Sequence, residues 1–306
     1  MGLLWPLLLI SFYMEPHRRI TKPDWLKIQL PNTADYSWMH KTIRDNHLHT
    51  ICTSGKCPNA AECWSKGTAT FMILGNICTR ACKFCNVPSG RPLAVDMNEP
   101  FKVARSIQIM KLKHAVITSV DRDDLEDGGA SVWAATIRQV KEMNPGITME
   151  VLIPDFNGLH HLIQQVIDAK PEVISHNLET VRRLTPQIRS KAKYDLSLKT
   201  LRYISDSGMV TKSGIMLGLG ETFEEVLQTM DDLRSVGVQV MTIGQYLQPS
   251  KDHLAVVEYV RPEIFNSLKE EALSRGFAFV ESGPLVRSSY HADEHIHALK
   301  VKRVIS

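Results

Sequence analysis

From Thr70 onward, short apolar runs rich in β-branched residues alternate with stretches whose apolar positions recur at helical spacing, and no low-complexity tract or long linker interrupts them. TFMI (70–73) has the composition of a strand leading into a loop. Asn98 can cap a helix running to about Leu112, and AVITSV from Ala115 returns to strand composition. A helix is expected over 130–143, closed by Asn144, Pro145 and Gly146, before the strand ITMEVLI. Residues 158–169 read as helix and EVIS as strand; a helix over about 196–206, ended by Ser207 and Gly208, precedes the strand-like MVTKSGIML. The clearest helix starts at Thr222, where Glu225 completes a capping box. It places Val226, Leu227, Met230, Leu233 and Val236 on one face before Gly237 stops it. VQVMTI follows as a strand, and a helix from about Pro262 to Gly276 completes roughly six strand–helix units. Such alternation implies a parallel sheet with right-handed crossovers, and the pattern fits an open sheet and a barrel equally.

Composition adds limits rather than a fold. At 306 residues and 43% hydrophobic content the chain can bury a sizeable core, as one large α/β domain or two smaller ones. The net charge of +3 and the lack of a basic run interleaved with aromatics leave no electrostatic footprint for nucleic acid. The first fourteen residues, MGLLWPLLLISFYM, are apolar but too short to span a bilayer, and they lack a charged leader or small-residue cleavage site. An upstream misassigned start, or a short apolar extension packed on the body, is expected there rather than a signal peptide. An Arg- and Ser-rich organelle leader is absent as well.

Chemistry enters with the cysteines, because all six fall between positions 52 and 85. Cys52, Cys57 and Cys63 form one triad and Cys78, Cys82 and Cys85 a second. Thiolates are soft ligands for iron–sulfur clusters, zinc or copper(I). Three per group is the informative number: a closed zinc site needs four, whereas a three-cysteine cluster leaves one iron open to another donor. Two distorted zinc knuckles or three disulfides are the alternatives, and neither explains threes in both groups. Commitment of every thiol to metal implies a reducing compartment, the cytoplasm.

The C-x3-C-x2-C spacing of the second triad resembles the radical S-adenosylmethionine (SAM) superfamily. The first triad just upstream, with C-x4-C-x5-C spacing, narrows the resemblance to the lipoyl synthase family. KPDWLK (22–27), CPNAAECW (57–64), VITSVDRDDLEDGGA (116–130), HNLETV (176–181), TKSGIMLGLGET (211–222), IGQYLQPS (243–250) and GPLVRSSYHADE (283–294) all look like that family's motifs, so the resemblance covers roughly 22–294. Two departures are Ser175 before HNLET and the SGK spacer between Cys52 and Cys57. Neither removes a ligand.

The resemblance implies a partial (β/α)6 TIM-type barrel of the radical SAM type over 70–277. It implies an N-terminal extension, 1–69, that carries the first triad, and a C-terminal extension, 278–306, that carries RSSY. It further implies two [4Fe-4S] clusters. One, on Cys78, Cys82 and Cys85, would cleave SAM reductively to a 5'-deoxyadenosyl radical; the auxiliary one, on Cys52, Cys57 and Cys63 with Ser289 as fourth ligand and Ser288 as fallback, would supply two sulfurs to an octanoyl-lysine. The implied partners are octanoylated lipoyl-carrier proteins (lipoyl domains of 2-oxoacid dehydrogenase complexes and the glycine cleavage H protein), a flavodoxin- or ferredoxin-type reductant and an iron–sulfur carrier, with no nucleic acid and no membrane span. A second two-cluster radical SAM enzyme would lack RSSY and KPDWLK, and a ferredoxin-like electron carrier would need no barrel.

Polar residues at strand ends are the candidates for SAM or substrate contacts, since α/β folds bind ligands there. They are Asp121 and Arg122 in VDRDD, Asn177 and Glu179 in HNLE, and Lys212 with Ser213 on the fifth strand. Gln245 and Tyr246 end the sixth strand. His176 reads as a structural histidine, the pair His160 and His161 as helix surface, and Gly218 with Gly220 as a tight strand–helix turn rather than an anion cradle. Arg287 is suited to holding a carboxylate or facing a cluster's negative field.

Overall fold

The computed structural model describes residues 21–27, 37, 38, 41, 43, 50, 52, 57 and 59–294. The apolar leader before Met14 lies outside the described residues. Seven strands form one sheet in sequential order: β1 (Thr68–Ile73), β2 (His114–Ser119), β3 (Thr148–Leu152), β4 (Val173–Ser175), β5 (Val210–Leu217), β6 (Val240–Gln245) and β7 (Phe279–Gly283). Every neighbouring pair is parallel. Pairing runs from β1 to β7 without joining the two ends, so the sheet is an incomplete barrel.

Helices occupy the crossovers: α1 (Ala60–Ser65) before the sheet, then α2 (Glu99–Ile109), α3 (Ala130–Met143), α4 (His160–Asp168), α5 (Thr185–Ile188), α6 (Tyr194–Asp206), α7 (Phe223–Ser235) and α8 (Pro262–Ser274). The α7 capping box is present: Thr222 Oγ1 accepts from the Glu225 N–H at 3.3 Å, and Glu225 Oε2 accepts from the Thr222 N–H at 2.9 Å. Val226, Met230 and Leu233 are buried beneath it, and Gly237 ends the turn at φ +83°. Asn98 precedes α2 without capping it through its side chain; Asp96 Oδ1 accepts from the Asn98 N–H instead, and the helix stops at Ile109. A 3-10 turn at Phe156–Gly158 delays α4 to His160. Residues past the expected barrel boundary at 277 contribute β7, which pairs with β6 along its whole length.

Two apolar clusters line the outer face of the sheet, one joining β1–β4 to α2, α3 and α4, the other joining β5–β7 to α6, α7 and α8. The concave face is different. Lys212 on β5 reaches Glu150 on β3 with Nζ–Oε2 at 2.8 Å, although β4 lies between them. Flat strands two places apart stand about 10 Å apart. The contact is therefore made across the inside of the curve, at residues no more than 1% exposed.

Candidate cluster and cofactor site

Beyond β1 the chain turns through two residues of positive φ, Leu74 (+68°) and Gly75 (+92°). Glu99, at the start of α2, accepts from both of their N–H groups, at 2.6 and 3.4 Å. The loop that follows carries Cys78, Cys82 and Cys85 at the carboxyl end of the barrel. It closes on itself through the Cys78 N–H to Pro88 O and the Gly90 N–H to Cys78 O, both 2.9 Å. Its far side is held by the Lys83 N–H on Ile188 O at 2.9 Å and by His253, whose Nε2 lies 2.9 Å from Cys85 O.

The three thiols line one cavity. Cys78 Sγ accepts from the Arg80 and Asp121 N–H groups at 3.4 and 3.2 Å, and Cys85 Sγ from the Val87 N–H at 3.5 Å. Burial pushes Cys78 up to about 11, Cys85 up to about 12 and Cys82 upward as well. Cys78 and Cys82 each add to the rise at Cys85, which places the thiols within one another's field.

The first triad is held by backbone hydrogen bonds of its own. The Cys57 N–H donates to Cys52 O and the Cys63 N–H to Asn59 O, both at 3.0 Å. Burial raises all three thiols, Cys52 to about 11, and Cys57 and Cys52 add to the rise at Cys63. The RSSY segment is pinned onto α1 beside it: Asn59 Nδ2 donates to Leu285 O at 2.7 Å, Tyr290 Oη to Glu62 Oε2 at 3.0 Å, and His291 Nε2 lies 3.3 Å from Glu62 Oε1. Arg287 is kept below its ordinary value by burial, with Cys57 opposing. Ser288 and Ser289 line the cavity that Cys78, Cys82 and Cys85 also line. Among the described residues no three His, Cys, Asp or Glu side chains form a single-ion site.

Of the expected polar contacts, Asn177 and Glu179 line both this cavity and its neighbour under β5 and β6. Asn177 Oδ1 is buried with no hydrogen-bond partner, and burial raises the Glu179 carboxyl. Asp121 lines the first cavity, its Oδ2 3.7 Å from Cys78 Sγ. Arg122 is not brought there. Its guanidinium binds Asp124 at 2.9 Å and the carbonyls of Leu74 and Leu93. Lys212 sits beneath, and only its partner Glu150 reaches the cavity wall. Gln245 lines the second cavity but spends its amide on the loop beyond β6, binding Glu258 O at 3.0 Å and the Val260 N–H at 2.8 Å. Glu221 accepts from the N–H groups of Gly218 and Leu219, as a tight turn requires. His176 is satisfied on both nitrogens, by Ile153 O and Ser197 Oγ, and His160 and His161 are exposed.

Residue-type reasoning did not single out Arg80, Asp155 or His253. Arg80 is 6% exposed inside the cysteine loop and binds Asp123 and Asp155. A charge between two cluster-spaced cysteines, with acidic residues ending the next two strands, was the available signal.

The Radical SAM superfamily profile matches residues 72–233. A protein of Treponema denticola named lipoyl synthase is 64% identical over 275 residues, covering 90% of this chain and 95% of that one. One of Parabacteroides distasonis with the same name is 60% identical over 283 residues, covering 92% and 100%. Among solved structures, Streptococcus suis SuiB bound to S-adenosylmethionine aligns at TM-score 0.56 and 10% identity, over 72% of this chain and 52% of that one. The [FeFe]-hydrogenase maturase HydG aligns at 0.54 and 14%, over 87% and 68%. At these identities the structural likeness speaks to the fold.

Proposed function

The chain belongs to the lipoyl synthase family of the radical SAM superfamily, and on that premise we propose that it inserts two sulfur atoms, at carbons six and eight, into an octanoyl group carried on a lysine of a lipoyl-carrier protein. The observation that carries this reading is a shared cavity: the second triad lines it together with Ser288 and Ser289, from the segment pinned beside the first triad. A cofactor-cleaving centre and a sulfur source must both reach one acyl chain, and this arrangement serves both.

The residues present fit iron–sulfur clusters. Buried thiols that repel one another's charge favour a bound cation, and peptide N–H groups aimed at sulfur suit cluster ligands. We assign Cys78, Cys82 and Cys85 to a [4Fe-4S] cluster with SAM at its open iron, and Cys52, Cys57, Cys63 and Ser289 to a second. When bound, the first would supply the electron that cleaves SAM and the second would supply sulfur. The chain's own work is positioning and exclusion of water. Asn177 and Glu179 stand between the two cavities with a free amide oxygen and a buried carboxyl, suited to the polar end of SAM. Met72, Val116 and Leu152 give the first cavity an apolar wall for an acyl chain. Asp121 presents a carboxyl group next to Cys78, and the Arg287 guanidinium lies within the electrostatic reach of Cys57.

No helix among the described residues is long and apolar enough to cross a membrane. Lipoyl domains and the glycine cleavage H protein as carriers, a flavodoxin or ferredoxin as electron donor, an iron–sulfur carrier and a cytoplasmic setting complete the reading. The test is an anaerobic assay of the reconstituted protein with SAM, reductant and an octanoyl-lysine peptide. Product mass should rise by two sulfurs; SAM cleavage without sulfur in the product would overturn the assignment.

A further inference from the structure

We propose that Arg80 is a positioning residue that holds two peptide N–H groups on the Cys78 sulfur and thereby sets the reduction potential of the cluster carried by the second triad. The inference rests on the assignment of that triad to a cluster.

The two donors come from separate parts of the chain, residue 80 in the cysteine loop and residue 121 beyond β2, and both converge on Cys78 Sγ. Backbone N–H donors to sulfur favour the more electron-rich state of a cluster, so their placement is a lever on its potential. What fixes that placement is side-chain chemistry. The Arg80 guanidinium makes two forked contacts. Nε and Nη2 each donate to Asp123 at 2.9 Å, while Nη2 and Nη1 donate to Asp155 at 2.8 and 3.1 Å. Asp123 follows β2 and Asp155 follows β3, so one side chain ties the cysteine loop to the ends of two strands. Asp121 Oδ1 lies 3.4 Å from Nε as well.

Thr79 adds a second tie. Its N–H and its hydroxyl both donate to Asp121 O, at 3.0 and 2.9 Å, and its Oγ1 accepts from the Asp123 N–H at 3.0 Å. The Arg80 side chain is 4% exposed and that of Asp155 1%, so water does not loosen the fork to Asp155, and Asp123 on the other fork is 15% exposed. A planar five-donor guanidinium can satisfy two carboxylates bidentately, and an ammonium cannot. This separates positioning from charge: Arg80→Lys keeps the cation and loses the forks.

The experiment is a redox titration of the full chain with both clusters loaded and SAM present, following the electron paramagnetic resonance signal that responds to SAM, for wild type, Arg80→Lys, Arg80→Met and Thr79→Val. Thermal unfolding is measured alongside. Both Arg80 variants are expected to shift the midpoint to more negative potential by similar amounts, and Thr79→Val to shift it the same way by less. An unmoved potential in both Arg80 variants, whatever their melting temperatures, overturns the proposal. So does a wild-type potential in Arg80→Lys beside a shifted one in Arg80→Met, because charge alone would then account for the effect. If neither Arg80 variant folds, Thr79→Val decides: a wild-type midpoint there overturns the proposal, a negative shift supports it. A wild-type protein with no SAM-responsive signal would defeat the cluster assignment itself, and this inference with it.

Discussion

Lys212 Nζ and Glu150 Oε2 meet at 2.8 Å inside the barrel, both residues almost fully out of solvent. Burial lowers the Lys212 pKa, and Glu150 opposes that most strongly, with Glu281 adding to it. Removing one partner takes from the other its nearest opposite charge in a low-dielectric interior, at about 3–5 kcal/mol, whereas replacing both with apolar groups of similar volume is far less costly. Lys212→Met should therefore destabilise strongly, and the double variant with Glu150→Leu should recover much of the loss. Denaturant unfolding checks this; a single variant within about 1 kcal/mol of wild type would contradict it.

The division of labour between the triads predicts separable phenotypes. Replacing Cys78, Cys82 and Cys85 by Ala should halve the bound iron and abolish SAM cleavage. The same change at Cys52, Cys57 and Cys63 should leave SAM cleavage measurable and remove sulfur insertion. Iron analysis and 5'-deoxyadenosine release report on the two, and full iron retention in the first variant would refute the assignment.

The RSSY segment can be displaced without touching a serine. A Cβ on Gly244 of β6 would lie 2.2 Å from Val286 O, which forces backbone to move. Gly244→Ala should therefore behave like Ser289→Ala: SAM cleavage retained, lipoyl product lost by an order of magnitude or more. Ser288→Ala should be milder. Normal product from Ser289→Ala, with a disturbed auxiliary-cluster spectrum only in Ser288→Ala, would transfer the ligand role to Ser288.

Acid should weaken the fold through two buried imidazoles. Burial drives His114 and His176 down to about 4, from an ordinary value near 6.5. Between those values the unfolded chain binds more protons than the folded one. Stability is thus full above about pH 6.5 and falls as pH drops toward 4, by about 3 kcal/mol per histidine. Unfolding free energies at several pH values should show that slope, and His176→Asn should flatten it relative to wild type. Parallel profiles for the two proteins would rule His176 out as a contributor.

Much of this architecture is legible in the chain. Strand β6, buried along its whole length, reads as the largely apolar run VMTIG, and α7 declares itself through Thr222 and Glu225. Cysteine spacing locates both triads because loop chemistry is local. The rest depends on proximity through space. Arg80 and Arg122 are the same residue type in similarly acidic surroundings, and only the packing of the loops after β2 and β3 sends one to Asp155 and the other to Leu74 O. Strand β7 is not legible in the chain because its sequence, FVESG, alternates too briefly to outweigh the glycine that ends it.

The contact between Asn59 and Leu285 spans 226 positions of sequence. At roughly 5–20 residues per second, translation leaves α1 waiting on the order of 10–45 s for the segment that walls it in. Throughout that interval a nascent chain carries Cys52, Cys57 and Cys63 while the segment that packs beside them is not yet synthesised. The packing of this segment against α1 thus belongs to the finished polypeptide, and a product truncated before Leu285 would lack the contacts to Asn59 and Glu62 that pin it beside the first triad.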